Sequence, residues 1–206
     1  MLHFHGNGEI VDDYELSAPF YNEIGINLFV ADYRGYGFSD GRSTISNMLI
    51  DSHLTSREFN KIVEEYGSKK SILVMGRSLG SISAIAVAYH HQNAIQGLVI
   101  KNGSANNFRH LFPSSTTNHP IWKGESPFLN KMKMLSISKP TLIIYAEYDT
   151  IVPLEEGKEL FRNAAANDKR LIIIPDAGHN DLMLVGKAQY VEAIDEFVKP
   201  LASLYI

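Results

Sequence analysis

The sequence predicts an α/β fold, an open and mostly parallel sheet of about six strands with helices on both faces and a small cap loop. Three features point there. Short apolar runs alternate with longer amphipathic segments along the chain, as successive strand and helix units require. Most of the short runs are rich in Leu, Ile and Val with little polar alternation, the pattern of strands covered on both faces. At 206 residues and 45% hydrophobic, the chain carries enough apolar material for the core of one domain spanning 1–206.

Taken in order, strands are expected at 2–5 ("LHFH"), 27–32 ("NLFVAD"), 71–76 ("SILVMG"), 95–101 ("IQGLVIK"), 141–145 ("TLIIY") and 170–174 ("RLIII"). Between them, helices are expected at 14–24, 46–66, 79–91, 154–166 and 187–198. One stretch, 102–138, breaks the alternation. It mixes Gly, Asn, Ser, Pro and aromatic residues without a helical period, and it is too long for an ordinary connection. Such an excursion reads as a functional loop or cap. Phe108, Leu111, Phe112, Ile121, Trp122 and Phe128 within it either line a substrate pocket or pack the loop onto the body. Ile151, beyond the strand at 141–145, is a further pocket candidate.

Composition narrows the function classes. A formal charge of -4 with scattered Lys and Arg offers no basic surface for a nucleic-acid backbone, so nucleic acid is not an expected partner. Without cysteine, disulfides, thiolate zinc sites and a cysteine nucleophile are excluded. No apolar run approaches the ~18 residues that span a bilayer, and the N-terminus lacks the pattern of a signal peptide. The expectation is a cytoplasmic protein without a cofactor, acting on a small molecule.

The residues that carry chemistry begin with Gly76-Arg77-Ser78-Leu79-Gly80, which fits G-x-S-x-G between a strand and a helix. A serine there is either a helix cap or a nucleophile held above the strand end by a sharp turn, with the Leu79 amide facing a developing oxyanion. A serine nucleophile needs a base, and the base an orienting carboxylate. His179 in "DAGHND" follows the last strand, and Asp149 in "EYDTIVP" follows the fifth. The chain order is Ser78, Asp149, His179. Glu147 and Asp176 compete for the acid role; Asp176 lies too near His179 in one turn, and Glu147 too near its strand. At the N-terminus, "HFHGNGE" opens a Gly-Asn-Gly loop whose Asn7 amide is the second candidate oxyanion donor. His3 and His5 share a strand face, but no third ligand at sensible spacing follows, so no metal site is expected.

These motifs, with "DYRGYGFSDG" from Asp32 to Gly41, resemble the α/β-hydrolase superfamily over essentially the whole chain. They look most like its acylglycerol-lipase, acyl-protein-thioesterase and S33-peptidase-like serine hydrolases. The resemblance implies Ser78 as nucleophile, His179 as base, Asp149 as orienting acid, and Asn7 and Leu79 as oxyanion donors, with Asp32 and Arg34 structural. It implies a serine hydrolase of carboxylic esters or thioesters of small to medium acyl groups, with a short-peptide peptidase or a non-catalytic binding protein as alternatives. The superfamily usually carries two strands before the His-Gly strand, whereas Met1 stands directly on it here. The strand at 27–32 is therefore expected to present an open edge, covered by a second copy of the chain or a terminal segment.

Overall fold

A computed structural model of the chain describes residues 1–66, 71–108 and 129–203. Six strands, β1 (Leu2–Phe4), β2 (Phe29–Val30), β3 (Leu73–Arg77), β4 (Gly97–Lys101), β5 (Thr141–Ala146) and β6 (Lys169–Ile174), form one sheet in the order β2-β1-β3-β4-β5-β6. Every adjacent pair among the described residues is parallel, in keeping with the open, mostly parallel sheet expected. The reversal of strand order falls between β1 and β3, where open α/β sheets place their crevice.

The near-continuous apolar strands are explained by cover on both faces. Along β3, Val74 joins a cluster with Ile45, Met48 and Phe59 of α2 (Ile45–Glu65), Ile82 and Ile85 of α3 (Gly80–His90), Met134 of α4 (Asn130–Met134) and Leu160 of α5 (Leu154–Asn163). Leu73 and Met75 point the other way. They join Tyr21 of α1 (Ala18–Glu23), Leu182 of α6 (Leu182–Val185), and Tyr190, Ile194 and Phe197 of α7 (Lys187–Ser203). This two-residue alternation means that Arg77, in step with Leu73 and Met75, projects to the α1–α7 side.

The element boundaries depart from expectation in physically legible ways. Residues 14–24 do not form one helix: a 3-10 turn covers Val11–Tyr14, and α1 starts at Ala18 with Pro19 in its first turn. A proline is tolerated there because its missing N–H would lack an intrahelical partner anyway. Helix α5 ends at Asn163, since Ala164 has already turned extended at ψ 121°. Helices α4 and α6, of 5 and 4 residues, are too short to leave a periodic signal. Among the described residues β2 pairs only with β1, and its two residues are half-buried, so it stands at the sheet edge. Within the same residues no helix is long and apolar enough to cross a membrane.

Candidate active site

Strand β3 ends in a turn that the backbone makes at a cost. Ser78 has φ 50°, in the left-handed region that a non-glycine residue occupies only when its surroundings hold it there. The strain sits on the serine, and the flanking glycines serve close approach instead. A Cβ on Gly76 would come within 2.5 Å of the Gly80 carbonyl oxygen and 2.7 Å of the Ala84 Cβ. One on Gly80 would drive into the carbonyls at the end of β1, at 2.6 Å from that of His5. Helix α3 therefore starts pressed against β1. The Ser78 N–H continues the ladder by donating to the Lys101 carbonyl at 2.9 Å.

The Ser78 hydroxyl does not cap α3. Its Oγ lies 2.9 Å from Nε2 of His179, whose Nδ1 lies 2.6 Å from Oδ2 of Asp149. The other carboxylate oxygen of Asp149 accepts the N–H groups of Ile151 at 2.9 Å and Val152 at 2.7 Å, so both oxygens are occupied. Ser78, Asp149 and His179 are each less than a tenth exposed, which strengthens these bonds by keeping water from competing. The structure thus brings the three predicted residues into one hydrogen-bonded line. Glu147 is used elsewhere: its Oε2 accepts the N–H of Asp176, which turns through φ 59°.

The first loop, 5–9, leaves β1 beside this line. Neither the Asn7 nor the Leu79 backbone N–H donates to another group among the described residues. The loop is braced from the segment after β2: Tyr33 donates to the His5 carbonyl at 2.8 Å, and Tyr36 to Oδ1 of Asn7 at 2.6 Å. Asp32 accepts the Val11 N–H and Arg34 pairs with Asp51, which are fastening contacts. His3 and His5 lie buried against Tyr14 and Tyr33, with ring centroids 4.5 and 4.3 Å apart.

Of the pocket candidates, Phe108 is buried in the apolar cluster on the α2–α3 side, at φ 61°. Ile151 is partly exposed, two residues beyond Asp149. Leu111, Phe112, Ile121, Trp122 and Phe128 lie outside the described residues. Two groups not anticipated from the sequence hold the His179 backbone, and a third, Glu9, holds one of them. Arg77 and Asn102 both donate to the His179 carbonyl, at 3.3 and 3.1 Å, and Arg77 also pairs with Glu9 of the first loop. A charge inside an apolar strand and an Asn-Gly pair at a strand end were the available signals. Near them, burial pushes the Lys101 ammonium down to about 7; Arg77 adds to that shift and Glu9 opposes it. Burial, with Lys101 beside it, also holds His3 well below the usual imidazole range.

Parallel strands that carry a serine, a carboxylate and an imidazole in that chain order to one edge of the sheet are the architecture of the α/β hydrolases. The chain belongs to that superfamily: residues 1–115 match the family described as serine aminopeptidase, S33, and residues 110–184 the one described as alpha/beta hydrolase fold. It is 29% identical over 194 residues to protein bem46 of Schizosaccharomyces pombe, covering 89% of this chain and 62% of that protein. It is 28% identical over 203 residues to human alpha/beta hydrolase domain-containing protein 17B, covering 96% and 65%. The chain therefore spans less than two thirds of the length of these curated relatives. Among solved structures it resembles the Pyrococcus furiosus esterase Pf2001, with a TM-score of 0.76 and 21% identity over 98% of this chain and 82% of that one. A monoacylglycerol lipase from Paleococcus ferrophilus gives a TM-score of 0.71 and 18% identity, covering 96% and 92%. Identities this low establish the shared fold.

Proposed function

We propose that this hydrolase is a serine enzyme that cleaves carboxylic ester or thioester bonds of small to medium acyl substrates through an acyl-enzyme. The observation that carries this reading is the His179 imidazole, hydrogen-bonded to Ser78 at 2.9 Å and to Asp149 at 2.6 Å. In the first half-reaction Nε2 of His179 takes the hydroxyl proton as Ser78 Oγ attacks the acyl carbonyl. The Asn7 and Leu79 amides, which have no partner among the described residues, donate to the oxygen that becomes negative. His179 then protonates the departing alkoxide or thiolate. In the second half-reaction water loses its proton to His179 and attacks the acyl-serine, and His179 returns that proton to Ser78 Oγ as the ester bond breaks and the acid leaves. Asp149 keeps Nδ1 protonated, so that Nε2 is the free base, and stabilises the imidazolium that forms.

Cleavage of short peptide derivatives is the second reading, favoured by the S33 aminopeptidase family match over 1–115. A p-nitrophenyl ester chain-length series assayed beside aminoacyl-naphthylamides separates the two. The expected result is ester turnover that is abolished in Ser78→Ala. Turnover confined to the naphthylamides would select the peptidase, and ester turnover undiminished in Ser78→Ala would overturn the mechanism.

A further inference from the structure

We infer that Arg77 and Glu9 are positioning residues that lock the loop carrying the His179 base to the loop carrying the Asn7 amide. The inference rests on the serine-hydrolase reading of the site and deepens it.

Reach is the physical problem these residues address. His179 follows β6, which lies three strand positions from β3 in the sheet order. At the usual spacing between neighbours its loop must cross roughly 14 Å to meet Ser78. Bonds to the imidazole alone leave the backbone free to carry the ring away. The His179 carbonyl is instead held by Nδ2 of Asn102 at 3.1 Å and Nη2 of Arg77 at 3.3 Å. Asn102 is itself fixed, accepting the Ala146 N–H at 2.9 Å. The same Nη2 of Arg77 donates to Oδ1 of Asn180 at 2.8 Å, gripping the residue after the base.

The other arm of the guanidinium, Nη1, pairs with Oε1 of Glu9. Oε2 of Glu9 accepts the Gly6 N–H at 2.6 Å and the Tyr14 hydroxyl at 2.7 Å. A Cβ on Gly6 would stand 2.5 Å from Nη1, so the guanidinium lies directly against the first loop. One planar fork therefore touches both loops at once, a task for which a lysine ammonium has no matching geometry. Because the transition state needs proton transfer and oxyanion donation together, slack between the loops acts on the chemical step rather than on substrate binding.

Steady-state p-nitrophenyl butyrate kinetics, fluorophosphonate labelling rates and melting temperatures of the full chain test this with Arg77→Lys, Glu9→Gln, Asn180→Ala and Asn180→Asp. Arg77→Lys should lower kcat about 10- to 100-fold with KM within about threefold, and slow labelling in parallel. Glu9→Gln, which keeps an acceptor for Gly6 but removes the charge pair, should lie between Arg77→Lys and wild type. Asn180 is exposed, so its variants avoid disturbing the fold. Asn180→Ala should lower kcat severalfold at an unchanged melting temperature, and Asn180→Asp, which keeps the acceptor, should restore it to within about twofold. Melting temperatures that fall while kcat and labelling stay at wild-type values would reduce the bridge to a stabilising ion pair and overturn the inference alone. Wild-type chain that does not react with fluorophosphonate would overturn the serine-hydrolase reading, and this inference with it.

Discussion

At the scale of single residues, the site depends on which proton sits where. Asp149 uses Oδ1 to accept two backbone N–H groups and Oδ2 to accept from His179. In Asp149→Asn the remaining oxygen is claimed by the two backbone donors, and the amide nitrogen then faces Nδ1. The imidazole must present a lone pair to it, which moves the proton to Nε2 and leaves no base for Ser78. We predict a fall in kcat of about 10,000-fold with a melting temperature near wild type, read by ester kinetics and thermal unfolding. This part of the site was legible in the chain because each member lies in a short local pattern at a strand end. Arg77 was visible as a charge within an apolar strand, but its role was not, because Glu9 and His179 are brought to it only by folding.

At the scale of elements, the nucleophile turn is built by close approach. Helix α3 can begin where it does only because Gly80 has no Cβ to meet the Phe4 and His5 carbonyls. Gly80→Ala should push α3 away from β1 and destabilise the protein by about 2 to 3 kcal/mol, as overpacking of a tight interior does, measured by urea unfolding. An unchanged stability would mean that the two elements have room to separate. Strands β3, β4 and β5 were readable because their apolar runs are buried throughout, whereas β2 is a two-residue, half-buried strand well short of the 27–32 expected. The 3-10 turn at Val11–Tyr14 and the late start of α1 were not anticipated, although Pro19 marked the first turn of a helix rather than its middle. Helices α4 and α6 were beyond reach, since one turn is too short to show a period.

At the scale of the whole molecule, the α1–α7 side of the sheet buries basic groups that should make stability depend on pH. Lys101 sits with its ammonium 5.1 Å from the Tyr190 ring centroid; burial lowers its affinity for a proton, Arg77 adds to that, and Glu9 opposes it. Its folded value, about 7, lies below the ordinary 10.5 of the unfolded chain. Below pH 7 both states hold the proton and the burial cost is felt in full. Between pH 7 and 10.5 the unfolded state binds more protons, so this group's contribution to stability rises with pH. We predict a gain of roughly 1 kcal/mol or more from pH 7 to pH 9.5 that is lost in Lys101→Met, measured by chemical denaturation. An equal gain in the variant would assign it to other groups. The proposed chemistry depends on Ser78 as nucleophile, and reaction with a fluorophosphonate followed by peptide mass mapping reads that role directly. A single adduct on Ser78, absent in Ser78→Ala of unchanged melting temperature, is the result expected. Folded wild-type protein that takes no adduct, or takes it on another residue, would rule out Ser78 as the nucleophile.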